Sequence, residues 1–175
     1  MMRWLLPLTL PLGLATPLAA GPATPWHSPS VLSMEWGVFC ALYAMDQLPA
    51  PGTIAGFMHV PRDEITLHWP EEQIVPAQPG IAFGVRALGQ PGLFLPEAEV
   101  RVFRPGAKQP ETWSTTLSGD GASLAFFRFD SEEELLPGLW RFELHDAGVM
   151  FFSVEFEVVP PAAQRDIADA CGATS

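Results

Sequence analysis

The chain has 175 residues, 48% of them hydrophobic, with 9 Lys and Arg against 20 Asp and Glu and a formal net charge of −11. That acidity repels phosphate backbones and anionic headgroups, which argues against nucleic acid and anionic lipid as partners. With 19 prolines and 15 glycines breaking the apolar runs, no segment after the N-terminal leader approaches the ~20 residues of a membrane-spanning helix.

Residues 1–20 read as a secretory signal peptide. Arg3 precedes an apolar run from Trp4 to Leu14, and small residues follow up to Ala20. The pattern predicts cleavage after Ala20, with Ala15 and Ala23 as alternatives, and an exported, soluble protein in the periplasm or outside the cell. Removing Arg3 with the leader leaves 8 basic residues against 20 acidic ones. The remaining chain is long enough for one domain that buries roughly 68–70% of its unfolded surface.

Residues 21–32, rich in Pro and Ser, are expected to be a flexible leader whose Trp26 folds back onto the domain. A β-domain is predicted over 33–160. Its first strand is Met34–Phe39, with Met34, Trp36 and Val38 on one face. Residues 40–46 extend that strand or form one helical turn, and Pro49–Thr53 is a loop. Ile54–Val60 is strand-like, and Glu64–Trp69 alternates apolar with polar residues. Ile81–Leu88 is apolar almost throughout, as a strand buried on both faces would be.

Further strands are expected at Ala98–Phe103, Thr112–Leu117 and Leu124–Phe129, with Leu93 and Phe94 exposed in a loop before the first of them. Asp130–Leu136 is a loop or one helical turn, in which Ser131 and Glu134 have capping-box spacing. The clearest pattern is Pro137–Pro161. Trp140, Phe142 and Leu144 alternate with polar residues, Gly148 supplies the turn, and Met150, Phe152, Val154, Phe156 and Val158 share a face. A short helix is expected over 162–170, within a tail spanning 161–175. About eight short strands with turn signals every 8–12 residues imply an all-β, immunoglobulin-like antiparallel β-sandwich; a barrel is the alternative.

Cys40 and Cys171 are the two cysteines. In an exported chain such a pair is expected to form a disulfide, closing a loop worth about 5 kcal/mol in the chain-entropy model.

Ordered fragments of the chain carry a family resemblance: Glu35–Phe39, Pro51–Thr53, Ile74–Ala77, Gly80–Gly84, and Pro137–Glu143 followed by the Phe152–Val158 strand. Together they resemble a bacterial exported domain-of-unknown-function family, numbered thirty-eight fifty-nine. The resemblance implies a small exported β-sandwich and supplies no functional residues.

Catalytic motifs are missing from the sequence. No G-x-S-x-G elbow occurs, and the histidines at 27, 59, 68 and 145 lack metal-ligand spacing. Met58-His59 is the nucleus of a copper reading, and the acidic run 130–134 of a calcium one; neither completes a ligand set. No cofactor or metal is expected. Aromatic residues are the remaining lead. Phe103, Phe127 and Phe129 fall opposite the better-patterned faces of their strands, Phe94 tops a loop, and Trp69 and Trp113 have rings suited to stacking on sugars. The functional expectation is a non-catalytic binding or accessory module with a protein partner. The alternatives are a carbohydrate- or metal-binding domain and, behind them, a hydrolase.

Overall fold

The apolar run at 81–89 forms the strand on which both layers of the fold depend. The structure is a computed structural model and describes residues 21–41 and 45–172. The signal segment 1–20 lies outside the described residues, as do 42–44 within the predicted extension of the first strand.

Twelve strands are seen among the described residues. They are β1 (Trp26–His27), β2 (Val31–Cys40), β3 (Asp46–Pro49), β4 (Phe57–Val60), β5 (Trp69–Pro70) and β6 (Ile74–Pro76). Then follow β7 (Ile81–Gly89), β8 (Phe94–Phe103), β9 (Glu111–Ser118), β10 (Ser123–Arg128), β11 (Gly138–Asp146) and β12 (Val149–Val159). A helix, α1 (Arg165–Gly172), ends the described chain.

One sheet runs β1-β12-β11-β8-β9, with β6 also paired to β12; the other runs β10-β7-β2-β5. All pairs in the two sheets are antiparallel except β6 with β12. The two sheets face each other over one core, an immunoglobulin-like β-sandwich with a short C-terminal helix. The expected architecture is therefore the observed one.

The core follows from period-two patterning. Trp140, Phe142 and Leu144 of β11 and Phe152, Val154, Phe156 and Val158 of β12 are all buried. They meet Ile81, Phe83, Val85 and Ala87 from β7 across the gap between the sheets. Phe83 is the centre of an aromatic cluster, touching Phe127, Phe129, Trp140, Phe142 and Phe156 with centroids 5.1–6.3 Å apart. The β11–β12 hairpin turns at Ala147 and Gly148, both at positive φ (44° and 81°), as a two-residue connection requires.

β7 is apolar on both faces because its outer face is also covered. Residues 45–68 leave the sheet and return, forming the separate β3–β4 hairpin and a strap behind it. Ile65 and Leu67 from the strap pack with Phe39, Ala82 and Phe126 in a second, smaller cluster. Gly84 lies opposite Phe126 in the β7–β10 register, where a side chain would strike the β10 backbone.

Three local expectations are corrected. The 21–32 segment is not free: Trp26 and His27 pair with Ser153 and Phe152, and residues 31–32 belong to β2. Its backbone is held further because the Ala23 N–H donates to Glu155 and Gln73 donates to the Ala23 carbonyl. Residues 64–68 form no strand despite their alternation; only Trp69 and Pro70 pair, against Val38 and Gly37. The alternation is real, but it serves the strap's packing on the outer face rather than a ladder. Phe94 begins β8 rather than lying in a loop, although it is 65% exposed.

The disulfide joins Cys40 to Cys171, with Cα atoms 5.1 Å apart. It fixes α1 against the end of β2, with Ile167 and Ala168 buried beneath the helix. Gln78 donates to the Ala168 carbonyl at 3.0 Å and holds the same helix from the β6–β7 connection.

Candidate functional site

At the rim where β9 and β10 diverge, the two sheets part and a cleft opens. Its floor comes from β9 and β10, its roof from β4 and the 50–56 loop, and one end from the turn at 130–134. The void inside is about 40 Å³, room for roughly three waters and far below the ≈ 300–1,000 Å³ of sites for drug-sized ligands.

The site begins with Glu111. It lies opposite Val102 in the β8–β9 register, so its carboxylate points to the core side of the sheet. There it pairs with Arg104, Nε to Oε1 at 2.7 Å, with both side chains almost wholly buried. The guanidinium lies 5.7 Å from the ring of Trp140. The other carboxylate oxygen accepts the backbone N–H of Ile54 at 3.2 Å. Thr112 N–H donates to the Gly52 carbonyl at 3.0 Å, so the 50–56 loop is bonded to β9 at two points. Ile54, at its tip, is 73% exposed.

The opposite wall is polar. His59 Nε2 meets Asp130 Oδ2, and Asp130 Oδ1 also pairs with Arg128 at 2.8 Å. Glu134 accepts the N–H groups of Asp130 (2.7 Å) and Ser131 (3.1 Å), forming the carboxylate half of the expected capping box around a 3₁₀ turn at Glu132–Glu134. Among the described residues, Nδ1 of His59 and Nε1 of Trp113 are buried lining atoms with neither a hydrogen-bond nor an ion-pair partner.

A His–Asp pair invites a hydrolytic reading, but such a dyad requires a nucleophile on the other imidazole nitrogen. The threonine lining the cleft, Thr53, has its hydroxyl 2.8 Å from the Ala50 carbonyl of its own loop and 3.1 Å from that of Phe57 at the start of β4. Among the described residues no group of three or more His, Cys, Asp or Glu is placed to hold a metal ion. The arrangement can accept and donate hydrogen bonds in a partly apolar setting, and among the described residues no nucleophile is placed on the free imidazole nitrogen.

The aromatic candidates are dispersed. Trp113 and Phe127 both line the cleft, although each also packs into the core. Phe129 is completely buried and cannot form part of a surface. Phe103 lies on the outer face of the other sheet, where Arg141 covers it at 4.3 Å from its centroid. Arg141 in turn pairs with Glu143, which also receives His145. Trp69 packs against the core beside His68, and Phe94 projects alone at the start of β8. These six residues therefore form no single patch. Glu111 carries no signal in the sequence; His59 enters there only with Met58, and Asp130 and Glu134 only in the acidic run 130–134, because His59 and Asp130 lie 71 residues apart and no local spacing links them.

A larger space of about 630 Å³ lies under the strap beside Cys40 and His68. His68 Nδ1 there accepts the Cys40 N–H at 3.2 Å, a structural bond. No helix among the described residues is long and apolar enough to cross a membrane.

No protein-family model matches the chain, and no curated protein matches it. The fragments from Glu35 to Val158 therefore carry the family resemblance no further than the sandwich fold. Among solved structures, the chain is similar to an immunoglobulin-like protein from Pseudomonas aeruginosa. The two are 17% identical, with a TM-score of 0.46, over 78% of this chain and 98% of the other.

Proposed function

We propose that this is an exported, non-catalytic binding module that acts through protein–protein contacts at the β9–β10 rim. The observation that supports this reading most is the mounting of Ile54. A large aliphatic side chain is presented to solvent by a loop whose backbone is bonded to a buried carboxylate. Exposed apolar groups on well-positioned loops are characteristic of contact surfaces. Leu48, 53% exposed on β3, adds to the same excursion of the chain. Export is supported by the signal pattern and by the disulfide, which persists in oxidising compartments.

The test is cross-linked affinity purification of the tagged protein from its own cell envelope, with Ile54→Ser and Phe94→Ser run in parallel. The expected result is a specific protein captured by the parent and by Phe94→Ser, and lost with Ile54→Ser. Capture indifferent to Ile54, or no specific capture by the folded protein, overturns the reading.

A further inference from the structure

We infer that the rim cleft is a socket for a basic side chain, arginine or lysine, presented by a protein partner whose backbone carbonyl accepts the indole N–H of Trp113. The inference rests on the binding-module reading and names the chemistry of its contact.

Three features of the cleft point the same way. The first is charge. Arg104 offsets Glu111 and Arg128 offsets Asp130, so Glu134 is the lining carboxylate with no cation beside it among the described residues, on a chain whose net charge is −11. Glu134 uses Oε2 for both backbone N–H groups it caps, which leaves Oε1 for a ligand.

The second is unmet hydrogen bonding. In the neutral tautomer that donates Nε2–H to Asp130, Nδ1 of His59 is an acceptor, and it is buried with no donor among the described residues. Trp113, 8% exposed, has a buried donor with no acceptor among the described residues. Leaving either group unsatisfied is costly, and a partner that supplies both complements removes the cost. A guanidinium or ammonium supplies the donor, and the adjoining peptide carbonyl supplies the acceptor.

The third is the wall. The rings of Phe57, Phe126 and Phe127 line the same space, and aromatic faces attract a desolvated cation. The void is too small for a drug-sized ligand and suits the end of one side chain. Ile54 beside it provides an apolar rim for the rest of the partner.

The test uses the full oxidised protein, isotopically labelled, titrated with N-acetyl-arginine methylamide and followed by nuclear magnetic resonance. N-acetyl-citrulline methylamide, neutral and nearly the same shape, is the control. The arginine probe is expected to move the Trp113 indole N–H and the His59 ring signals saturably, and the citrulline probe to move them at least tenfold more weakly. Glu134→Gln keeps a capping side chain but removes its charge, and should weaken the arginine probe at least tenfold. If that variant does not fold, Phe57→Leu removes one ring of the wall and should also weaken binding. Equal responses to both probes, shifts confined to acids outside the cleft, or waters that no probe displaces overturn the socket. Failure of the arginine probe with Ile54-dependent cross-linking intact removes the socket and leaves the binding module. Arginine binding without Ile54-dependent cross-linking removes the protein source, and with it both proposals.

Discussion

Phe83 of β7 stands edge-on to Trp140 of β11, with ring centroids 5.5 Å apart and planes at 80°. The contact crosses the gap between the two sheets, so each sheet is positioned by a ring of the other. Trp140 is further fixed because its indole N–H donates to the Leu136 carbonyl at 2.9 Å. Trp140→Ala should therefore destabilise the domain by about 3–5 kcal/mol, and Trp140→Phe by less. Chemical denaturation of the two variants checks the order. Equal losses would mean that the ring position contributes little.

The disulfide should matter to stability more than to architecture. Replacing Cys40 and Cys171 by Ser is expected to cost about 2–5 kcal/mol. The far-ultraviolet spectrum should remain that of a β-protein. Hydrogen exchange should quicken in α1 while β11 and β12 stay protected, because α1 is held otherwise by a few buried side chains and the Gln78 bond.

Arg104 and Glu111 are a buried pair in which each charge depends on the other. Arg104→Met should cost about 3–5 kcal/mol, since it leaves a carboxylate buried without its cation. Adding Glu111→Leu should restore part of that loss. The double variant should still loosen the 50–56 loop, since the Ile54 N–H loses its acceptor. A double-mutant cycle with proteolysis at that loop separates the two effects.

Ala147 occupies a left-handed backbone conformation, φ 44°, beside Gly148 at 81°. A side chain with a Cβ is disfavoured there by about 1 kcal/mol, and Asn tolerates the position better. Ala147→Asn is expected to raise stability by about 0.5–1 kcal/mol without altering the hairpin. A fall in the unfolding midpoint would contradict the turn assignment.

The Arg62 guanidinium hydrogen-bonds Asp46 and holds its carboxyl below the ordinary value of 3.8, against a small opposing effect of burial. A carboxyl lowered by folding contributes stability above its unfolded value. That contribution is lost as the pH falls through the folded one. Both groups are exposed, so the effect on global stability should be slight. Carbon-detected titration should show Asp46 returning to the ordinary range in Arg62→Gln.

Legibility of the fold varied with what each pattern met in space. β11 and β12 have one buried face and one polar face, and their alternation gives both directly. β10 does not: Leu124, Phe126 and Arg128 point outward while Ala125 and Phe127 point inward, so both faces are rich in apolar groups. Its faces become distinct only because the β3–β4 excursion covers one of them, a tertiary fact. Phe103 reads as a bare apolar residue until Arg141, on a different strand, is seen above it. The rim cleft was the least legible part. Its polar groups come from residues 59, 111, 130 and 134, brought together by a loop that the sequence does not reveal as a roof.

The 131-residue span between the two cysteines also imposes an order in time. As the chain is made, Cys40 emerges with β2, but its partner follows only after β12 has been completed. The crosslink therefore cannot guide the pairing of the early strands; it can only seal a sandwich whose sheets have already been synthesised. An oxidant acting on a nascent chain meets a lone thiol at the end of β2, open to mixed disulfides. Quality control of this protein would then depend on when α1 docks, and the last few residues of the domain would report that the rest is complete.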